Sequence, residues 1–110
     1  PKELGDLSEL THINLDNNSL RGSIVSEIAQ LMNLEILDLY NNKFTESIPS
    51  ELGLLTGLVR LDLDSNTLSG LIPTELGQLM NLEVLWLLDN NNLIGTIPSA
   101  LCNYSGIYIA

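Results

Sequence analysis

Residues 68–85 read LSGLIPTELGQLMNLEVL, and two other segments of the chain repeat this pattern closely. Residues 44–61 read FTESIPSELGLLTGLVRL, and residues 93–110 read LIGTIPSALCNYSGIYIA. Similarity that returns at a fixed period of about 20 to 50 residues is typical of solenoids and related arrays. In these folds one unit cannot bury its apolar residues alone, and stacked units bury them as one continuous core. The sequence therefore predicts a repeat architecture.

The repeat divides the chain into four full units, which are residues 10–33, 34–57, 58–81 and 82–106. Three units have 24 residues and the last has 25. Residues 1–9 match the second half of a unit, and residues 107–110 match the start of a further unit or of a terminal cap. We therefore expect residues 1–110 to form a single array that is a fragment of a longer one.

Each unit follows the pattern LxxLxLxxNxLxGxIPxxLGxL, and its apolar positions recur in columns such as Leu10, Leu34, Leu58 and Leu82. Apolar residues alternate in the LxLxx stretch, which is the periodicity of a strand. Strands of successive units are joined by a long return, so they must be parallel neighbours. The ELGxL stretch has the length of a short 3₁₀ or α turn. The predicted fold is an α/β solenoid, a right-handed superhelix with a parallel sheet on its concave face and short turns on its convex side.

Composition excludes several classes of function. Fourteen acidic residues against four basic ones give a net charge of −10. Such a surface repels the phosphate backbone of nucleic acids and anionic membrane leaflets. The single cysteine has no partner for an internal disulfide, and no apolar run approaches the roughly 20 residues that span a bilayer.

The repeated residues resemble the leucine-rich repeat family over essentially all of the chain. The segment GLIPTELG at residues 70–77 is the best copy of the GxIPxxLG portion, which is similar to the plant-type class of these repeats. That class occurs in the ectodomains of receptor-like kinases and receptor-like proteins, and in secreted polygalacturonase-inhibitor-like proteins. The resemblance implies a role in recognition and an extracellular or cell-surface location. It also allows a parent protein that is anchored in a membrane.

The units depart from the pattern at a few positions. In the first unit Val25 replaces the proline and Ala29 the later glycine, while Glu46 replaces the first glycine of the second unit. The fourth unit has one extra residue between positions 88 and 92, where we expect a β-bulge. A ladder of asparagines ends the strands: Asn18, Asn42, Asn66 and then Asn90 or, because of the extra residue, Asn91.

Cys102 stands in the column of Gly5, Gly53 and Gly77. The resemblance implies a disulfide between this cysteine and a cap beyond Ala110, in which case the array would end soon after. The other interpretation is a small buried thiol that replaces glycine. The sequence leaves both open.

Strand residues between the core leucines are expected to point to the concave face, where neighbouring strands about 4.8 Å apart arrange them in stripes. On this face we expect an acidic patch around Arg60, formed by Asp16, Asp38, Asp62 and Asp64. Beside it we expect an apolar surface of Val84, Trp86 and Leu88, with Tyr40 and Ile36 nearby, and exposed aromatic residues are favoured as interface anchors. The expected ligand-binding residues are His12, Ile36, Arg60 and Val84; Asn14, Asp38, Asp62 and Trp86; and Asp16, Tyr40, Asp64 and Leu88.

These observations favour a binding module for a protein or a peptide, or for a glycan stacked on the indole, over an enzyme. The alternative is a structural spacer or a scaffold associated with the cell wall, without a specific ligand. A carbohydrate-active enzyme that uses Asp38 and Asp62 is a distant third, because an open face offers no pocket that would raise one carboxyl pKa. The same carboxylates could hold Ca²⁺, although side chains on a flat sheet rarely enclose a cation.

No cofactor or catalytic residue is predicted. His12 is the sole histidine, so a zinc cluster with Cys102 is not expected, and neither a phosphate loop nor a dinucleotide fingerprint is present. Two sequons, at Asn17 and Asn103, are candidate glycosylation sites if the chain is secreted by a eukaryote. A glycan on Asn17 would crowd the binding face, which counts against its use.

Overall fold

The computed structural model describes residues 9–24, 26–90, 92–94 and 108–109. Within them the chain forms short strands and 3₁₀ helices, and none of these helices is long and apolar enough to cross a membrane. The 3₁₀ helices are Ser26–Gln30, Ser50–Leu54 and Thr74–Gln78. The strands are β1 (His12–Asn14), β2 (Arg21–Ser23), β3 (Ile36–Asp38), β4 (Lys43–Thr45), β5 (Arg60–Asp62), β6 (Ser69–Leu71), β7 (Val84–Trp86), β8 (Asn92–Ile94) and β9 (Tyr108–Ile109).

One parallel sheet contains a strand from each successive unit, in the order β1-β3-β5-β7-β9. Its register aligns equivalent positions, so that Leu37 pairs with Leu61, Leu61 with Leu85, and Leu85 with Ile109. The predicted solenoid with a parallel sheet is therefore confirmed. The 3₁₀ helices stack on each other along the opposite side of the array.

Leucines fill the space between the sheet and the 3₁₀ helices. Leu37, Leu61 and Leu85 are fully buried, and so are Leu52 and Leu76 of the helices. The buried side chains of all the units belong to one continuous cluster. At roughly 25 cal/mol per Å² of apolar surface removed from water, this stacking is the main stabilising term of the array.

Buried asparagines close the turns that follow β3, β5 and β7 of the main sheet, and together they form a ladder. Asn66 Nδ2 donates to the carbonyls of Leu39 (3.0 Å), Leu63 (3.2 Å) and Asp64 (3.1 Å). Its Oδ1 accepts a hydrogen bond from the amide of Phe44 at 3.2 Å. Each of these side chains thus satisfies backbone groups of its own unit and of the preceding one.

Asn42 and Asn90 make the equivalent set of bonds, whereas the bonds of Asn18 to the described residues reach the carbonyls of Leu15 and Asp16, both in its own unit. In the fourth unit the ladder position is therefore Asn90. The extra residue of that unit follows Asn90, and residue 91 lies outside the described part of the chain.

Two further parallel sheets, β2-β4 and β6-β8, were not predicted from the sequence. Each has two strands of three residues, too short to show a period. Hydrogen bonds from Thr67 N to Phe44 O and from Ser69 N to Glu46 O connect the two sheets. The break between them falls at Glu46, where the backbone has a φ of +65°.

Glu46 has a positive φ because it occupies a glycine column. Gly22 and Gly70, the equivalent residues of the neighbouring units, have φ values of +85° and +80°. This region costs a residue with a Cβ roughly 1 kcal/mol or more, whereas glycine enters it freely. The replacement of the pattern glycine by Glu46 therefore introduces local strain.

Gly53 is required for a different reason, which is the close approach of adjacent 3₁₀ helices. A Cβ at this position would lie 2.4 Å from the carbonyl oxygen of Glu75 in the next unit. This contact explains why the ELGxL stretch keeps its glycine. Cys102, which stands in the same column, lies outside the described residues.

We expect Asn66→Ala to lower the free energy of unfolding by about 2 to 4 kcal/mol, because it leaves buried backbone groups without partners. Asn18→Ala is the matched control, since Asn18 is exposed and makes only local bonds. Its cost should stay below about 1 kcal/mol. Urea denaturation followed by circular dichroism measures both, and equal losses would contradict the proposed role of the ladder.

We expect Glu46→Gly to raise the free energy of unfolding by about 1 kcal/mol, because it relieves the strain of the positive φ. Glu46→Ala removes the charge but keeps the Cβ, so it should bring no such gain. Thermal unfolding of the two variants beside the parent separates the explanations. A comparable gain in the alanine variant would assign the effect to the side chain and not to the backbone.

Candidate ligand-binding face

The outward side of the main sheet, called the sheet face below, presents the predicted binding residues in three columns. The register pairs His12, Ile36, Arg60 and Val84 in the first column, and Asn14, Asp38, Asp62 and Trp86 in the second. The third contains Asp16, Tyr40, Asp64 and Leu88, which follow the strands directly. Backbone bonds such as Asn41 N to Asp64 O (3.0 Å) extend the parallel ladder past this column. The structure therefore brings all twelve residues to one surface.

The carboxylates of the second column are less exposed than the sequence suggested. Asp38 and Asp62 each retain only 7% of their accessible surface. The register places Asp38 between Asn14 and Asp62, and Asp62 between Asp38 and Trp86, so both short side chains have neighbours on two sides. They sit within the surface layer of the sheet face.

Hydrogen bonds stabilise part of the cluster of acidic residues on this face, which contains Asp16, Asp38, Asp62 and Asp64. Asn14 Oδ1 accepts from the amide of Asp16, and Asp62 Oδ1 accepts from the amide of Asp64, both at 3.0 Å. Asp64 Oδ1 accepts from the amide of Leu88 at 2.6 Å. By contrast, Asp16 Oδ1 and Asp38 Oδ1 are buried without a hydrogen-bond partner among the described residues.

Burial changes the acidity of this cluster. It raises the pKa of Asp62 to about 6, helped by the carboxylates of Asp64, Asp38 and Asp16 and opposed by the amide of Asp64. Burial and the charge of Asp16 raise the pKa of Asp38, while Arg60 lowers it. Burial also raises the pKa of Asp64, together with the charge of Asp89 and against the hydrogen bond from Leu88.

The sequence-based argument that an open face could not raise a carboxyl pKa is therefore wrong. The raised values nevertheless do not form an acid–nucleophile pair. Glycoside hydrolysis needs one carboxyl group protonated and the other ionised, so their pKa values must be pushed apart. The two carboxyl groups must also flank the bond that is cleaved, whereas Asp38 and Asp62 both lie within the surface layer of one sheet with 7% of their accessible surface, so a sugar on the sheet face would not lie between them. The arrangement of these carboxylates does not favour a hydrolase.

The apolar side of the sheet face lies next to the acidic cluster. The guanidinium of Arg60 lies over the Trp86 ring, 5.2 Å from its centroid, which is a cation–π contact. Leu88 is 54% exposed and Tyr40 is 37% exposed, while Val84 and Trp86 are half-buried. The sequence placed Arg60 among the aspartates, but diagonal neighbours on adjacent strands are also within reach of long side chains, and here Trp86 is one of them.

Other sequence-based candidates are resolved only in part. Within the described residues, no group of three or more histidines, cysteines, aspartates or glutamates is arranged to hold a metal ion. His12 Nδ1 lies 2.9 Å from the hydroxyl of Thr11. Asn17 is exposed but accepts a hydrogen bond from Asn41 Nδ2 at 2.9 Å, while Asn103 lies outside the described residues.

The chain is similar to known repeat proteins. A family model described as a leucine-rich repeat region matches residues 1–103. The chain is 51% identical to the probable LRR receptor-like serine/threonine-protein kinase RPK1 of Arabidopsis thaliana over 45 residues. This match covers 41% of the chain and 8% of the kinase.

Among solved structures, the plant peptide hormone receptor RGFR1 in complex with RGF2 superposes with a TM-score of 0.95 at 44% identity. That match covers 99% of this chain and 18% of the receptor chain. A plant ice-binding protein superposes with a TM-score of 0.90 at 36% identity, over 100% of this chain and 36% of that one. The chain thus spans only a minor part of each relative. Since one fold carries both a hormone receptor and an ice-binding protein, the ligand class must be argued from the sheet face itself.

We expect the chain to become more stable as the pH falls from 7.5 to about 5. The folded-state pKa of Asp62, about 6, lies above its ordinary value of 3.8, so the folded state binds a proton more tightly than the unfolded state. The resulting stabilisation is fully present below the ordinary pKa of 3.8 and is lost as the pH rises through the folded-state pKa of about 6. Thermal and urea unfolding across this pH range measure the effect.

Asp62→Asn should remove part of this pH dependence and raise the stability at pH 7.5 by about 1 to 2 kcal/mol. Glu51→Gln is the control, because Glu51 is an exposed carboxylate on the opposite side of the array. An equal effect of the control would show that total charge, and not burial of Asp62, sets the dependence.

Proposed function

Because the chain belongs to the leucine-rich repeat family, we propose that residues 1–110 are a continuous repeat segment of an extracellular receptor-like or secreted recognition protein. The segment binds a peptide or a protein on the sheet face, through the three columns defined above. No covalent step is involved, and the mechanism is complementarity of shape and charge.

The observation that carries this proposal is the juxtaposition of exposed anchors with an acidic cluster on one rigid sheet. Tyr40 and Leu88 leave apolar surface open on the same face as Trp86. Aromatic side chains and arginine are the residue types that contribute most to binding energy at protein interfaces. Arg60, stacked on Trp86, adds a further residue of this kind.

The relatives support the ligand class and the location. The structure that matches this chain at 44% identity is a receptor of a plant peptide hormone, and the curated relative is a receptor-like kinase. A peptide that lies across the strands would run along the columns and contact successive units in turn. An extracellular or cell-surface location follows the same resemblance.

The proposal is tested by selecting a displayed library of random dodecapeptides against the folded chain. We expect selected peptides to lose at least tenfold in affinity when Leu88→Ser or Tyr40→Ala removes an exposed anchor, since each anchor contributes about 1.4 kcal/mol or more. Isothermal titration calorimetry measures the affinities. Because Trp86 is the sole tryptophan of the chain, its fluorescence reports contact with the sheet face.

Leu54→Ser is the matched control, because Leu54 is 53% exposed, as Leu88 is, and lies on a 3₁₀ helix on the opposite side. It should leave the affinity unchanged. Selected peptides that are insensitive to both sheet-face variants would overturn the proposal. A library that yields no binder would favour a structural spacer.

A further inference from the structure

The acidic cluster of Asp16, Asp38 and Asp62 contains buried acceptor atoms without donors. Asp38 is 93% buried, since it retains 7% of its accessible surface. Its Oδ1 and the Oδ1 of Asp16 have no hydrogen-bond partner among the described residues. A buried carboxylate oxygen without a donor costs free energy, and this cost is removed when a donor arrives.

The structure does not fill this need with its own basic residue. Arg60 is close enough for its charge to lower the pKa of Asp38, but its guanidinium lies over Trp86. The three carboxylates act on one another, because Asp16 and Asp38 both raise the pKa of Asp62. The cluster therefore attracts a cation from outside the described part of the chain.

We propose that Asp16, Asp38 and Asp62 form a subsite for one cationic side chain of the bound peptide, specifically an arginine guanidinium. The inference rests on the proposed function and names a chemical requirement of the ligand. A planar guanidinium offers five N–H donors in a fixed fork, which can serve carboxylates on adjacent strands at once. A metal ion fits less well, because the described residues include no group of metal ligands arranged around one point.

The position of the subsite also predicts where the arginine stands in the ligand. Asp38 and Asp62 pair across β3 and β5, and Trp86 follows on β7. With strands about 4.8 Å apart, the middle of the carboxylate pair lies about 7 Å from the strand of Trp86. An extended peptide covers this distance with about two residues. The ligand should therefore carry arginine, one intervening residue and then an apolar residue that contacts Trp86 and Leu88.

Two synthetic tripeptides test the subsite directly. Acetyl-Arg-Ala-Leu-amide carries the cation, and acetyl-citrulline-Ala-Leu-amide replaces it by a neutral side chain of nearly the same shape. We expect the arginine peptide to bind at least fivefold more tightly, with saturable changes in Trp86 fluorescence and in the amide NMR signals of Asp38 and Asp62. Equal affinity of the two peptides, or binding of neither, would overturn the proposal.

Variants of the cluster separate a specific subsite from general attraction to an acidic protein. Asp38→Asn and Asp16→Asn keep the shape of the side chain and should each reduce the preference for arginine to less than twofold. Glu51→Gln removes one negative charge on the opposite side and should keep the preference intact. A similar loss in all three variants would assign the preference to net charge.

The outcomes distinguish this inference from the proposed function. Tripeptides that bind equally, together with library peptides that depend on Leu88 and Tyr40, would remove the cation subsite and leave the binding face. Library peptides that ignore the sheet face would remove the proposed function. Circular dichroism of each variant establishes that it folds, and the comparison on the parent chain needs no variant.

Discussion

The buried asparagine that follows each of the strands β3, β5 and β7, which is Asn42, Asn66 or Asn90, is the constraint on which the rest of the structure depends. Its side-chain nitrogen donates hydrogen bonds to carbonyls of two consecutive units, and its side-chain oxygen accepts a hydrogen bond from a backbone amide of the preceding unit. Because these backbone groups lie in an apolar interior, they would otherwise be left without partners at a cost of several kcal/mol together. The ladder thus fixes how far each unit stands from the next, and the leucine columns pack at that spacing.

The sheet face inherits this regularity. Since the interior fixes the register of the strands, every outward position is aligned with its equivalents along the array. Side chains that are separated by 24 residues in sequence become direct neighbours. Asp38 and Asp62 are therefore enclosed by side chains of neighbouring strands, and they are less exposed to solvent than they would be on an isolated strand.

Much of this arrangement follows from the period of the sequence. The solenoid and the parallel sheet were predicted from the spacing of leucine, asparagine, glycine and proline, the plant-type repeat family was predicted from a resemblance, and all three predictions are confirmed. The sequence shows that Glu46 replaces a glycine of the pattern. It does not show that the backbone of Glu46 keeps a positive φ and is strained, at the break between the two small sheets. The repeat pattern states which residue is replaced but not what the backbone does there.

Interactions between columns were not predictable in the same way. The burial of Asp38 and Asp62 arises from neighbours on other strands, and the contact between Arg60 and Trp86 is a diagonal one. The repeat period places Arg60 next to the aspartates, and its charge does act on Asp38, but the period does not show that the guanidinium stacks on Trp86. Which side chain reaches which neighbour is decided by length, rotamer and competing partners, none of which the repeat period contains.

Asn14 gives the strongest reason to separate the acidic cluster from the needs of the fold. Asn14 and Asp62 occupy the same column, and the Oδ1 of each accepts a hydrogen bond from the amide two residues further along the chain. An uncharged amide therefore performs this structural task as well as a carboxylate does. Burial raises the pKa of Asp62 to about 6, which means that ionisation opposes folding at neutral pH. Since asparagine would fulfil the hydrogen bond without this cost, the charge of Asp62 contributes nothing that the fold requires, and its role is best sought in what binds to the sheet face.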